Sequence, residues 1–386
     1  MDFEFTDEQL GLRDNIRSVL SGACPTSLVR AVYDEGATAE GLWKQMVDLY
    51  WPAIGIAEEH GGLGLGYIET GILAEELGRA VAPGPLLATV TQFVPLVRET
   101  GSEPHQARFL AAVAEGSIIG TVALAESSDW EPASVRATAR RDGDSWVLSG
   151  TKRFVFDAGS ADEIAVVARA EGTTGEDGLG VFVVPAANTT IVATPLMDRT
   201  LQVCDVIFDA SRIPQDRVLV APGDGRAARA VERAGHEATV AMALSTVGTC
   251  RAIFEMTLQY AKDRVQYGRP IGSFQALKHR LADLFLEVER TTSLAYFAAM
   301  TIAEDDERRA VAVSMAKAAA GDCERLAAQE GLQLHGGIGF TWEHDLHFFL
   351  KRAKAGGALW GTAAHHRARI ARQLGLAGDV IEGHQA

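Results

Sequence analysis

The chain of 386 residues has few cysteines, no long apolar run and a deficit of positive charge. Its four cysteines are widely separated: Cys24, Cys204, Cys250 and Cys323. They form no Cys-x-x-Cys pair and no secretory leader is recognisable, so we expect no zinc site and a reduced, cytoplasmic setting. No apolar segment reaches the ~20 residues that a transmembrane helix needs. The net charge of −15 argues against nucleic acids and anionic membranes as partners.

The composition is 47% apolar and 23% charged, as in globular proteins with a large core. Helical periodicity dominates the first part of the chain. The middle contains short strands separated by turn residues, and the rest consists of long helices. We therefore predict an α+β fold with an N-terminal α-helical domain (1–118), a central β domain (119–225) and a C-terminal four-helix bundle (226–386). The long helices are predicted over residues 226–262, 274–303, 308–334 and 358–374, with a loose tail after Gly375.

Residues 264–275, Arg-Val-Gln-Tyr-Gly-Arg-Pro-Ile-Gly-Ser-Phe-Gln, join the first two long helices. Pro270 and the neighbouring glycines prevent a helix from running through this segment. Arg264 and Arg269 should therefore project from a fixed loop, an arrangement suited to a ligand that carries phosphate. The spacing alone is equally compatible with two solvated arginines at a helix end.

A second motif, Gln333-Leu334-His335-Gly336-Gly337-Ile338-Gly339, closes the third long helix. Gln333 continues an apolar helix face, so we expect its side chain to point inward. Gly336 and Gly337 would end the helix and let a ligand approach the backbone without a Cβ in the way. Taken alone, a Gly-Gly helix end is more often structural than functional.

Both motifs resemble segments of acyl-CoA dehydrogenases that contact FAD. The patterns Arg-x-x-Tyr-Gly-x-x-Ile-Gly-x-x-Gln and Gln-x-x-Gly-Gly match that family, and its helix, sheet, helix order extends the resemblance over nearly the whole chain. The resemblance implies an acyl-CoA substrate, FAD as cofactor and a tetramer in which these motifs hold the ADP part of a neighbour's FAD. The positions that match this role are Arg264, Gln275, Gln333, Gly336 and Gly337. The resemblance adds Tyr267, Ile271 and Thr362 as further cofactor positions and Phe154 for the chain's own flavin.

The elements with which family members hold their own flavin match less well. Phe154 keeps the aromatic residue that packs on the isoalloxazine ring, but Phe156 stands where a Thr or Ser would bond to flavin N5. Ala125 replaces the threonine of the family's Thr-Glu-Pro segment, and the glycines after it are missing. The resemblance therefore implies that this chain has lost contacts to its own flavin and kept those to a neighbour's.

The catalytic base is also in question. Removing the α-proton of a thioester needs a carboxylate in an apolar pocket. Most family members carry it in Glu-Gly-Thr, where this chain has Trp360-Gly361-Thr362; a minority carry it at the position matching Ala238. Glu237 precedes Ala238 and would face the pocket only after a helix rotation of ~100°. Its alternative role is that of a first-turn glutamate favoured by the helix dipole, and Trp360 would then fill the space of base and substrate.

We predict FAD-dependent α,β-dehydrogenation of an acyl-CoA thioester, with this chain as the base-lacking partner of a homologous subunit in an α2β2 tetramer. Actinobacterial steroid-CoA dehydrogenases resemble this arrangement. Two alternatives stay open: a self-sufficient homotetramer with Glu237 as base, and a scaffold of the same fold without flavin. The histidines near the C-terminus match no standard metal-ligand spacing, so no metal site is predicted.

Overall fold

The computed structural model describes residues 4–376, and helices, strands and helices follow one another there in the predicted order. Of the predicted tail after Gly375, residues 377–386 lie outside the described residues. The helices before the sheet are α1 (Asp7–Ala23), α2 (Thr26–Glu35), α3 (Glu40–Asp48), α4 (Tyr67–Arg79), α5 (Leu86–Ala88), α6 (Val94–Thr100) and α7 (Glu103–Ala114). A short π-helical stretch, Thr89–Phe93, joins α5 to α6.

One mixed sheet forms the middle of the chain. Its strands are β1 (Gly120–Ala123), β2 (Thr138–Asp142), β3 (Ser145–Phe156), β4 (Glu163–Ala170), β5 (Leu179–Pro185), β6 (Thr190–Ala193), β7 (Val203–Pro214) and β8 (Val218–Val220). The strand order is β6-β7-β3-β2-β4-β5-β8, and β1 also pairs with β4. Both β1 and β2 run parallel to β4, beside successive stretches of it, whereas the other pairs are antiparallel. Strand β3 is one of the two longest strands and carries Phe154 and Phe156 at its end.

Long helices build the bundle after the sheet. They are α8 (Ala227–Asp263), α9 (Gln275–Ala303), α10 (Arg309–His335), α11 (Leu346–Ala358) and α12 (Ala363–Gln373), with a small hairpin of β9 (Val265–Gln266) and β10 (Arg269–Pro270) between α8 and α9. Apolar residues recur along α8 at three- and four-residue steps and form its buried face: Val240, Leu244, Val247 and Cys250 are fully buried, and Phe254 and Leu258 are half-buried. The helix predicted over 358–374 begins only at Ala363, because the backbone breaks between α11 and α12. Helix α11 was not predicted, so the bundle domain has five helices among the described residues and not four.

Glycines allow α4 to lie directly against α8. A Cβ on Gly78 of α4 would come within 1.9 Å of the Ser245 carbonyl oxygen, and one on Gly248 of α8 within 2.0 Å of the Glu75 carbonyl oxygen. Any side chain at either position would therefore separate the two helices. This contact joins the N-terminal helices to the bundle. No helix within residues 4–376 combines the length and apolar character needed to cross a membrane.

Candidate functional site

A groove with a volume of about 470 Å³ lies where the β9–β10 hairpin meets the end of α10. Its lining residues are Tyr260, Arg264, Gln266, Ile271, Leu334, His335, Gly336, Gly337 and Ile338. The groove exists because α8 stops at Arg264, whose N–H still donates to the Tyr260 carbonyl at 2.8 Å. The Ile271 N–H then donates to the Arg264 carbonyl at 2.8 Å, which folds the hairpin back. The Arg264 side chain is left exposed, with its charge available to a ligand.

The opposite wall of the groove is backbone. Gly336 ends α10 with φ 61° and ψ −141°, a conformation accessible in practice only to glycine. A Cβ on Gly336 or Gly337 would meet no atom within 4 Å, so both positions border open space. A ligand in the groove can therefore reach this backbone, as the motif predicts.

Three of the cofactor residues predicted from these two motifs lie outside the groove lining. Tyr267 is 92% exposed at the hairpin tip. Gln275 is exposed and pairs with His279, with 3.0 Å between Nε2 atoms. Gln333 is exposed, so the expectation that it points inward is wrong. Leu334 and Gly331 face the core instead, which turns Gln333 toward solvent because each residue adds ~100° around a helix.

His335 is a groove residue that the sequence did not single out. Its ring stacks on Tyr260 at 4.6 Å between centroids, and its Nδ1–H donates to the Gly331 carbonyl at 2.7 Å. Burial lowers the pKa of His335, so the ring is neutral at pH 7. His335 lies at the end of α10 and Tyr260 near the end of α8. Their contact brings together residues far apart in the sequence, so no local pattern predicts it.

A second candidate site surrounds Trp360, where the sequence resemblance places the family's usual base. The break between α11 and α12 gives Trp360 a φ of 58°, and its indole is buried. Trp130 stacks on it with 4.6 Å between ring centroids and 28° between planes. The ring centroid of Phe154 lies 6.3 Å from that of Trp130. The cavity left at this point has a volume of about 20 Å³, enough for a single water molecule.

Buried polar groups hold the Trp360 segment in place. The Lys317 ammonium, fully buried, donates to the carbonyls of Gly356 at 2.9 Å, Gly357 at 3.2 Å and Gly361 at 2.8 Å. Burial lowers the pKa of Lys317 to about 7. His366 Nε2–H donates to the Trp360 carbonyl at 2.8 Å. These bonds explain how a tryptophan keeps a left-handed backbone conformation.

The remaining predicted residues have structural partners. Thr362 caps α12, its Oγ1 accepting from the His365 N–H at 3.3 Å. Phe156 is fully buried in the core, whereas Phe154 is half-buried with φ 55°. Phe156 has no hydroxyl that could bond to a flavin, and its ring is part of the core.

Glu237 is buried and lies in the third turn of α8, ten residues after Ala227, so a first-turn role is wrong. Its Oε1 accepts from Arg98 Nη2 at 2.5 Å and lies 3.6 Å from Arg309 Nη2. It borders a cavity of about 180 Å³ that also contains Tyr67, separate from the cavity at Trp360. Two arginines thus neutralise the Glu237 carboxylate, on a side of α8 that does not face the cavity at Trp360.

Comparison with known proteins agrees with this architecture. Family models described as the N-terminal, middle and C-terminal domains of acyl-CoA dehydrogenase match residues 6–117, 123–211 and 228–375. Acyl-CoA dehydrogenase IpdE2 of Mycobacterium tuberculosis is 30% identical over 349 residues, which cover 90% of this chain and 91% of that protein. The chain belongs to the acyl-CoA dehydrogenase family.

Solved structures extend the similarity. A variant of the Tcur3481-Tcur3483 steroid ACAD has a TM-score of 0.84 at 28% identity, covering 96% of this chain and 98% of that one. The ChsE4-ChsE5 complex from Mycobacterium tuberculosis has a TM-score of 0.86 at 24% identity, covering 98% and 100%, and shows the shared fold. Members of the family are FAD-dependent oxidoreductases that act on acyl-CoA thioesters.

Proposed function

We propose that this chain is the base-lacking partner in an α2β2 acyl-CoA dehydrogenase and helps to bind the FAD of a homologous subunit. The observation that carries the proposal is the contrast between the two candidate sites. The groove at Arg264 is open, positively charged and bordered by Cβ-free backbone, whereas the site at Trp360 is filled by aromatic rings. The first arrangement suits a nucleotide and the second leaves no room for a thioester.

The groove fits the nucleotide part of FAD. Arg264 would pair with a phosphate, and the backbone at Gly336 and Gly337 would approach the ligand closely. The apolar side chains of Ile271 and Ile338 would pack against an adenine. FAD, when bound, supplies the acceptor for the hydride that leaves Cβ of the acyl group.

The chain's own catalytic pocket does not fit this chemistry. The Trp360 indole cannot accept the α-proton, and Trp130 with Phe154 occupies the neighbouring volume. Glu232, the carboxylate among the described residues lining that cavity, has a side chain 46% exposed and pairs with Arg369 at 3.2 Å. It therefore lacks the apolar surroundings that would adapt a base to this reaction.

Glu237 gives the homotetramer alternative no support. A general base must be free to take a proton from a substrate within hydrogen-bond reach. Glu237 is paired with Arg98 and Arg309 and borders a different cavity from Trp360. We infer that Glu237 is structural and that the base is on the partner subunit.

For the substrate we propose a bulky acyl-CoA, such as the CoA thioester of a steroid side chain. The support is the similarity to a steroid ACAD of two differently named chains and to the ChsE4-ChsE5 complex. A chain without its own acyl site, combined with a homologous subunit, would explain why such enzymes contain two kinds of subunit.

The test is the molar ratio of flavin to protein, first for this chain alone and then for the complex with a co-expressed homologous subunit. We expect a colourless chain and one FAD per pair of subunits in the complex. Arg264→Ala should lower the flavin content of the complex. The matched control is Arg269→Ala, because Arg269 is on the same loop but outside the groove lining.

Two results would contradict the proposal. A chain that is yellow by itself, holds one FAD per chain and is bleached by an acyl-CoA would be a self-sufficient enzyme. A complex that is colourless, with Arg264→Ala unchanged, would be a scaffold without flavin.

A further inference from the structure

Gly336, Gly337 and Ile338 form one side of the groove, which we call the glycine wall. Aromatic contacts hold the segment that contains them at both ends. At its start, His335 stacks on Tyr260. Four residues after Ile338, Trp342 contacts α2 and α11. Between these points Ile338 and Phe340 are 44% and 75% exposed, whereas Gly339 is buried against Leu332 and His335 of α10. The side chains of the glycine wall itself are therefore little packed, so we expect its position to depend on the two ends.

The second end is built around the ammonium of Lys351 on α11. Lys351 Nζ lies 4.2 Å from the ring centroid of Tyr33 and 4.3 Å from that of Trp342. A cation held between two aromatic faces is attracted by both ring quadrupoles. Lys351 Nζ also lies 3.3 Å from Nδ1 of His347, whose ring stacks on Trp342 at 4.3 Å. We call Lys351, Tyr33 and Trp342 the lysine cage.

Residues of α2 complete the attachment of Trp342. Arg30 Nη1 donates to the Trp342 carbonyl at 3.0 Å, and the indole N–H donates to Asp34 at 3.3 Å. Arg30 Nη2 also pairs with Asp345 at 2.7 Å. The cage thus joins the N-terminal helices, α11 and the segment after the glycine wall.

A direct link runs from the cage to the groove. Thr341, which precedes Trp342, uses both its N–H, at 3.1 Å, and its Oγ1, at 2.9 Å, to donate to the Ile338 carbonyl. Ile338 and the preceding Gly337 border the groove. Fixing Trp342 therefore fixes the wall.

We propose that Lys351, Tyr33 and Trp342 are positioning residues that hold the Gly336–Ile338 wall in place for a nucleotide. This inference rests on the proposed function for the identity of the ligand. The three side chains do not line the groove, so they act through the wall and not by touching the cofactor.

Hydrogen exchange of the full chain tests the cage without any ligand. Lys351→Met keeps the length of the side chain and removes its charge, so we expect amides in residues 336–342 to exchange about tenfold faster. Lys351→Arg retains a cation over the rings and should restore slow exchange. The control is Lys354→Met, on the same helix, where Lys354 is 64% exposed and pairs with Glu324. Trp342→Leu is a second variant that removes one face of the cage.

A second readout is the rate at which FAD leaves the complex with the homologous subunit. Lys351→Met should release FAD about tenfold faster than Lys354→Met, with Lys351→Arg close to the wild type. The inference would be overturned if Lys351→Met and Trp342→Leu matched Lys354→Met both in amide exchange over residues 336–342 and in the rate of FAD release. A colourless wild-type complex would instead overturn the proposed function and the assigned ligand, while the exchange comparison would still decide whether the cage fixes the wall.

Discussion

The indole of Trp130 lies on the indole of Trp360, with 4.6 Å between ring centroids and 28° between ring planes. Trp130 comes from the loop between β1 and β2, and Trp360 from the break between α11 and α12. The stack therefore joins the sheet to the bundle at the position where the resemblance places the family's usual base. In the proposed partner role, the packing that stabilises this site is also what leaves no room for a substrate.

A double-mutant cycle measures this stack. Trp360→Ala should destabilise the chain by about 3 kcal/mol because a large buried ring leaves a cavity. Trp130→Ala should cost less, since Trp130 is half-buried. The double variant should recover about 1 kcal/mol relative to the sum, the usual coupling of an aromatic pair. The measurement is urea denaturation, and strict additivity would show that the rings do not stabilise each other.

Glu237→Gln distinguishes a structural carboxylate from a base. The change leaves Arg309, whose side chain is 7% exposed, without its buried countercharge, so we expect a loss of roughly 2 kcal/mol in unfolding free energy. That figure allows for screening at Arg98, which is 38% exposed. Dehydrogenase turnover per folded complex should not change. The control, Glu232→Gln, alters a side chain that is 46% exposed and should cost under about 0.5 kcal/mol. Loss of turnover with unchanged stability would restore Glu237 as the base.

Gly337→Ala tests the groove separately from the fold. The Cβ meets open space and φ is not positive, so stability should change by less than about 0.5 kcal/mol. The methyl group would nevertheless stand at the groove wall and lower the flavin content of the complex. Gly336→Ala should additionally destabilise the chain by about 1–3 kcal/mol, because φ at Gly336 is 61°. Gly159→Ala, at another open position, is the control for a glycine replacement remote from the groove. Full flavin content in Gly337→Ala would argue against a cofactor at this wall.

The helical periodicity predicted α8, α9 and α10 to within one or two residues, because each has a continuous buried face. Leu244, Leu284 and Ala320, one on each helix, are all fully buried. The orientation of Gln333 was mispredicted because the last turn of α10 lies beside the groove, where the apolar pattern ends. A single-residue offset there turns a side chain from core to solvent.

The closed site could be predicted only in part. Trp360 led us to predict that the usual base is absent, but its partner Trp130 is 230 positions away in the sequence. The helix break at Trp360 depends on Lys317 and His366, whose bonds to carbonyls form only in the folded chain. The parallel pairing of both β1 and β2 with β4 is likewise a long-range choice that local strand signals do not encode.

Asp157, next to Phe156, links this region to the pH dependence of stability. Burial raises the pKa of Asp157 to about 7, although Arg352 opposes the shift. The folded chain therefore holds a proton here between about pH 4 and pH 7 that the unfolded chain has released, so this residue's contribution to stability is present at low pH and is lost as the pH rises through 7. Asp157→Asn keeps the shape and suits the left-handed backbone, with φ 48°. We expect the variant to match the wild type near pH 4 and to exceed it by roughly 2–4 kcal/mol at pH 8. Urea denaturation at both pH values measures this difference, and an equal difference at pH 4 and pH 8 would show that folding does not raise the pKa of Asp157.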